Sequence, residues 1–179
     1  MLEGELANQT LAILFVAKEP LTFSQLKEVY PETSVEELQD VLERLAYNFN
    51  TIQGAVELRQ VGGGYRLTTC VQHHEVIRAY LKTRPSAKLS LAALETLAVI
   101  AYRQPITLPE IMEIRGIKGT STIQTLLEKK LIETRGRKRT IGRPIMYGTT
   151  KDFLVHFGLK DLSELPTLEE FEEILAPNE

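Results

Sequence analysis

The stretch FVAKEPLTFSQLKEV (15–29) returns as IAYRQPITLPEIMEI (100–114), and this repetition restricts the fold more than any other feature of the chain. In each copy an apolar helical pattern ends on a basic and a polar residue; Pro, an aliphatic residue and Thr then lead into a short second helix. Proline lacks an amide hydrogen and disfavours helix at the residue before it, so Pro20 and Pro105 each stop a helix. Thr22 with Gln25 and Thr107 with Glu110 have capping-box spacing and start the next one. Both copies then carry a longer helix and close on related endings, YRLTT (65–69) and MYGTT (146–150). A period of about 80 residues seen twice is too long and too sparse for a solenoid and indicates a duplicated domain.

Periodicity places helices at 6–18, 24–30 and 34–50 in the first copy, the last opened by Ser34 with Glu37 and carrying Val35, Leu38, Val41, Leu42, Leu45 and Phe49 at helical intervals. AVELRQ (55–60) alternates like a strand, and GGG (62–64) turns the chain into YRLTT. The second copy reads as helices at 90–103, 108–115 and 121–130, then strands near 131–135 and 145–149. Three helices, a strand, a loop and a strand are the order of a winged helix, in which the third helix enters the major groove of DNA in DNA-binding examples. The expected class is therefore mainly α with small β wings (α+β), as two tandem winged-helix domains. The expected boundaries are 1–82, a linker TRPSAK at 83–88, a second domain at 89–160 and an acidic amphipathic tail at 161–179. Helices at 71–82 and 151–158 follow the two copies, the second ending at Gly158. In the tail, Pro166 breaks the chain, Thr167 and Glu170 form another capping box, and Leu168, Phe171, Ile174 and Leu175 share one face.

Several functions lack the residues they need. No apolar run reaches the roughly 20 residues that cross a bilayer. The first residues carry Glu3 and Glu5 where a secretory leader would be basic, so no membrane contact and a cytoplasmic setting are expected. Cys70 is the single cysteine and has no intramolecular partner for a disulfide. GIKGTS (116–121) lacks P-loop spacing and reads as a turn. Cys70, His73 and His74 are neighbours, but His156 is the only other histidine, short of the four ligands of a structural zinc site. No serine or cysteine is set beside a base at a recognisable turn. Glu95 and Glu110 fall on helical patterns, where capping or solvation accounts for them. No catalytic residue, cofactor or metal is expected.

Charge is uneven. Residues 1–85 carry 8 basic and 11 acidic residues, 86–160 carry 13 and 6, and 161–179 carry none and 7, giving −3, +7 and −7. RGRKRTIGRP (135–144) concentrates Arg135, Arg137, Lys138 and Arg139 in the second wing, where they suit phosphate or an acidic partner. The third helix of the first copy carries Glu36, Glu37, Asp40 and Glu43 and would repel a duplex, so at most one copy reads DNA. From these residues alone, a tandem winged-helix DNA-binding regulator and a protein-binding module both remain open.

The second copy separates them by resemblance. LSLAALETLAVIAYRQPITLPEIMEIRGI (89–117), LLEKKLI (126–132) and GRPIMYGTTKDFLVHFGLKDLSELP (142–166) closely resemble the bacterial segregation and condensation protein B family. The first copy resembles it by layout more than by motif. This resemblance implies a non-enzymatic subunit of the SMC–kleisin complex that condenses and segregates chromosomes at the nucleoid. It implies a homodimer formed largely through the N-terminal domains. It implies binding to the central segment of the kleisin, segregation and condensation protein A, and through it to the SMC ATPase, with DNA contact weak or indirect. Tyr102, Arg103, Arg115, Arg143, Tyr147, Phe153 and Phe157 fall in the matched motifs and are the candidate partner-binding residues. Each also has a structural reading: the aromatic residues as core, Arg103 and Arg115 as helix-end residues.

Overall fold

The structure, a computed structural model, describes residues 4–51, 54–81, 89–116, 121–167 and 170. It mixes helix and strand in an α+β arrangement. The described residues form two units, one drawn from Met1–Arg84 and from Gly158 onward, the other from Pro85–Phe157. The expected linker at 83–88, residues 117–120 of the GIKGTS turn, and Leu168, Phe171, Ile174 and Leu175 lie outside the described residues.

In the first unit, helix α1 (Glu5–Val16) buries Ala7, Thr10 and Leu14. Thr22 opens helix α2 (Phe23–Val29): its hydroxyl accepts the Gln25 N–H at 3.3 Å, and the Gln25 side chain accepts the Thr22 N–H at 2.9 Å. Two amide hydrogens that a helix start leaves without partners are thereby satisfied. Ser34 caps helix α3 (Val35–Thr51) by accepting the Glu37 N–H at 3.0 Å. The α3 face of Leu38, Val41, Leu42 and Leu45 is at most 3% exposed and, with Leu26 and Leu58, forms the core. Strands β1 (Val56–Val61) and β2 (Gly64–Thr69) pair antiparallel with Leu58 opposite Leu67. They turn through Gly62 and Gly63, both at positive φ (56° and 75°), as a tight hairpin requires. The helix expected at 71–82 is a 3-10 turn (Val71–His73) followed by helix α4 (His74–Leu81). The sequence grouped 158–160 with the second copy; Gly158 and the residues after it cluster here instead, where the Gly62 N–H donates to the Leu159 carbonyl at 2.9 Å.

The second unit runs α5 (Leu91–Arg103), β3 (Ile106–Thr107), α6 (Leu108–Arg115), α7 (Ser121–Glu128), β4 (Ile132–Arg137), β5 (Ile145–Thr149) and α8 (Lys151–Phe157). Its sheet has the order β3-β5-β4, with β5 antiparallel to both neighbours. Strand β3 is a finding of the structure, since two residues are too few for alternation to show in sequence. Strand β4 continues to Arg137, past the expected end near 135, across a register shift between Thr134 and Arg137 that contains Gly136 at φ 89°.

Tertiary pairing sharpens the repeat. Leu21 and Tyr65 exchange two backbone hydrogen bonds of 2.8 Å in one unit, and Ile106 pairs with Tyr147 in the other. Tyr65 thus corresponds to Tyr147, one residue out of step with the YRLTT and MYGTT match. Buried Ala7 and Thr10 of ANQTLAIL (7–14) correspond to buried Ala93 and Thr96 of ALETLAVI (93–100), so the link to Pro20 is one residue longer than the link to Pro105.

Candidate protein-interaction surfaces

In the second unit, the end of α5 is tied to the sheet by Gln104. Its side-chain oxygen accepts the Thr149 N–H at 2.8 Å and its amide donates to the Thr149 hydroxyl at 2.9 Å. This lock holds the Pro105–Ile106 segment in place, beside a shallow cleft of about 380 Å³ lined by Arg103, Pro105, Ile106, Glu110, Glu113 and Ile114. Ile106 is buried beneath it, Ile114 is 54% exposed, and Tyr102 is exposed at the end of α5. An apolar floor with charges of both signs around it matches the centre and rim of a protein-binding site.

Glu110 lies between this cleft and the loop that follows β4. Sequence treats it as a cap, and it is one, accepting the Thr107 N–H at 2.9 Å and the Thr107 hydroxyl at 2.6 Å; it also accepts a short hydrogen bond from the Lys138 ammonium. The Lys138 bond first, then those from Thr107, pull its carboxyl from the ordinary 4.5 to about 2. A depressed carboxylate contributes stability that is complete above the unfolded value and is lost as pH falls through the folded one. Glu110→Gln is therefore expected to melt lower than wild type at neutral pH, with the difference closing between pH 4.5 and about 2. A thermal-melting series of both proteins across that range reads it; a difference that persists unchanged at pH 2 contradicts the assignment.

The other candidate residues divide by burial. Arg103 is exposed and lines the cleft, and the preceding Tyr102 is exposed on α5. Arg115 is internal: its side chain is 8% exposed, one guanidinium nitrogen lies 2.6 Å from Glu95 and the other donates to the Thr96 hydroxyl, so it clamps α6 to α5. Glu95 is thus an ion-pair partner where sequence left it solvated or capping. Tyr147 and Phe153 are buried and pack in the unit's interior. Phe157 is exposed, with its ring centroid 4.9 Å from that of Phe153.

On strand β4, Arg135 is 2.9 Å from Glu133 and donates to the Thr149 carbonyl at 3.0 Å. Arg137 donates to the carbonyl of exposed Arg143 at 3.0 Å, and Arg139 is exposed. Sequence reasoning missed Pro105, Ile106, Glu113 and Ile114 as cleft residues. Helix α6 is too short for its periodicity to mark an outward apolar side chain. The first unit exposes Phe15 and Val16 at the end of α1, Val29 on α2, and Val76, Tyr80 and Leu81 on α4, a helix that buries none of its residues. Among the described residues no three His, Cys, Asp or Glu side chains are grouped to hold a metal ion, and no helix is long and apolar enough to cross a membrane.

Known proteins share this sequence over most of its length. The family model described as segregation and condensation complex subunit ScpB matches residues 8–168. Segregation and condensation protein B of Desulforamulus reducens is 48% identical over 163 residues, covering 89% of this chain and 87% of that protein. The crystal structure of ScpB from Mycobacterium tuberculosis is 31% identical, covers 87% of this chain and 96% of its own, and superposes with a TM-score of 0.41. A dimer of an ScpB N-terminal domain complexed with an ScpA peptide is 27% identical, covering 41% of this chain and 91% of its own with a TM-score of 0.38.

Proposed function

The chain belongs to the family of segregation and condensation complex subunit ScpB, and from that premise we propose that it is a non-catalytic adaptor of a bacterial SMC–kleisin complex, serving chromosome condensation and segregation in the cytoplasm at the nucleoid. The observation that carries this reading is the family match over residues 8–168, which takes in both units and the cleft. In this reading each unit is a winged-helix domain, with the β1–β2 turn and the 138–144 loop as wings. The first unit joins two copies of the chain in a symmetric dimer, for which its exposed α1 and α4 side chains supply apolar surface. The second unit holds the central kleisin segment in its cleft, and the kleisin in turn reaches the SMC ATPase. Phosphate contact by the wing is weak or indirect, because Lys138 is engaged by Glu110 and Arg135 by Glu133.

Co-expression with the cognate kleisin tests this. Wild type is expected to co-purify with it at moderate salt, and failure to do so sinks the adaptor reading. Arg103→Glu and Ile114→Asp change exposed cleft side chains and are expected to weaken the complex about tenfold or more. Arg137→Glu with Arg139→Glu leaves it intact. A complex lost on the wing change and kept on the cleft changes moves the contact surface to the wing.

A further inference from the structure

The 138–144 loop joins β4 to β5 and carries a side chain that the fold leaves entirely outside: Ile141 is 104% exposed. A single exposed aliphatic residue is ordinary on a protein surface, so its setting decides what it can do. The setting is ordered. Thr140 to Arg143 form a tight turn in which the Arg143 N–H donates to the Thr140 carbonyl at 2.9 Å, with Gly142 at φ 80°. Behind the turn, the Lys138 N–H donates to the Pro144 carbonyl at 2.9 Å and the Arg137 guanidinium to the Arg143 carbonyl at 3.0 Å, while the Lys138 ammonium is bonded to Glu110 on α6. Ile141 thus stands on a braced hairpin, and little conformational freedom is left to lose on binding.

Charge around this residue is of one sign. Between Glu133 and Asp152 the chain has no acidic residue and six basic ones, Arg135, Arg137, Lys138, Arg139, Arg143 and Lys151. Arg139 lies two residues before Ile141 and Arg143 two after. Both are exposed, and among the described residues no hydrogen bond or ion pair engages either side chain. Free positive charge therefore flanks an apolar point on both sides.

A nucleic-acid duplex has the complementary form. Its minor groove, about 6 Å wide, carries phosphates along both edges and admits apolar wedges such as isoleucine. An acidic peptide has a single backbone and no such groove. Helix α7, in the place of a groove-reading helix, adds no base readout: it has no arginine, and the Gln124 amide donates to Glu128 at 3.0 Å. We propose that the 138–144 loop is a sequence-independent contact for duplex DNA, with Ile141 entering the minor groove while Arg139 and Arg143 meet the phosphates on either side. Lys138 and Arg135 are engaged by carboxylates, so the contact rests on few cations and is weak for one chain. It does not depend on the adaptor reading.

Fluorescence anisotropy of a short labelled duplex of mixed sequence, titrated with the full chain, tests this. Wild type is expected to bind at about 50 mM salt and to release the duplex by about 200 mM. Arg139→Glu with Arg143→Glu lowers affinity about tenfold or more and flattens the salt dependence, whereas Arg139→Lys with Arg143→Lys preserves both. Ile141→Ser lowers affinity about fivefold and leaves the salt dependence unchanged, because it removes apolar burial and no charge. Netropsin, a small molecule that fills the minor groove, displaces the chain. Thermal melting of each variant verifies the fold, which these exposed side chains do not support.

Absence of duplex binding by wild type at the lower salt overturns the proposal, as does binding that neither the charge change nor Ile141→Ser alters, or that netropsin fails to displace. Affinity for poly-glutamate equal to that for the duplex overturns it too. The kleisin complex is expected to survive all three variants; its loss on Arg139→Glu with Arg143→Glu would assign the loop to an acidic protein instead. A wild-type chain that binds the duplex but not the kleisin leaves this contact standing and removes the adaptor reading.

Discussion

Gly64→Ala is expected to destabilise the first unit by about 2–3 kcal/mol, summing overpacking with the weakening of one backbone pairing. A β carbon at Gly64 would lie 2.9 Å from both the carbonyl carbon and oxygen of Pro20 and 3.0 Å from the Leu21 carbonyl oxygen. All three are backbone atoms, and no rotamer change moves them. The chain after Pro20 would have to shift, yet it is held to Tyr65 by the two 2.8 Å hydrogen bonds of the Leu21–Tyr65 bridge. Gly148→Ala in the second unit provides the comparison. There the new carbon would meet Gln104 Oε1 at 2.8 Å and Arg135 Cγ at 2.9 Å, both on side chains. Arg135 can turn aside, while Gln104 is tied to Thr149, so an intermediate cost of about 1–2 kcal/mol is expected. Urea unfolding of the two variants reads the order; Gly148→Ala proving the costlier change would contradict it.

Arg115→Met is expected to cost the second unit about 2 kcal/mol, the net worth of hydrogen bonds made by a buried charged group. Methionine keeps much of the packed stem and leaves no unpaired charge in the interior, since the Glu95 carboxylate it frees is 53% exposed, so the loss isolates the guanidinium contacts. Of the two partners, Thr96 matters more. Its hydroxyl is buried and also donates to the Ala92 carbonyl at 2.8 Å, whereas the Glu95 side chain is 53% exposed and its ion pair is screened by water. Glu95→Gln should therefore cost much less than Arg115→Met. Equal losses in chemical denaturation would show that the ion pair, and not the clamp on Thr96, holds α6 to α5. The first unit dispenses with this device: Tyr30 stands where Arg115 does, and the buried Thr10 hydroxyl has no hydrogen-bond partner among the described residues.

These two cases mark where sequence reasoning stops. Helix positions, the caps at Thr22, Ser34, Thr107 and Thr167, and the strand at 145–149 could be read in advance because each depends on residues within a few positions of one another. The core stripe of α3 could be read for the same reason, except at its first residue, Val35, which is 47% exposed. Strand β3 could not, nor the lock of Gln104 on Thr149, since both join residues about forty positions apart through a sheet that two residues do not announce. Among the candidate site residues, motif membership could not separate exposed Arg103 from clamped Arg115, or exposed Phe157 from buried Phe153.

The duplication and the family were determined by sequence alone, because both reside in the order of residue types along the chain. The uneven charge was legible there too. Tertiary structure decided which of those charges are available: Lys138 engages Glu110 and Arg135 engages Glu133, while Arg103 and Glu113 line an apolar cleft. It also aligned the two copies, pairing Leu21 with Tyr65 in one unit as Ile106 with Tyr147 in the other. The reason is physical: burial and pairing depend on which distant segments meet, and a residue's type states what it can bind but not what it already holds.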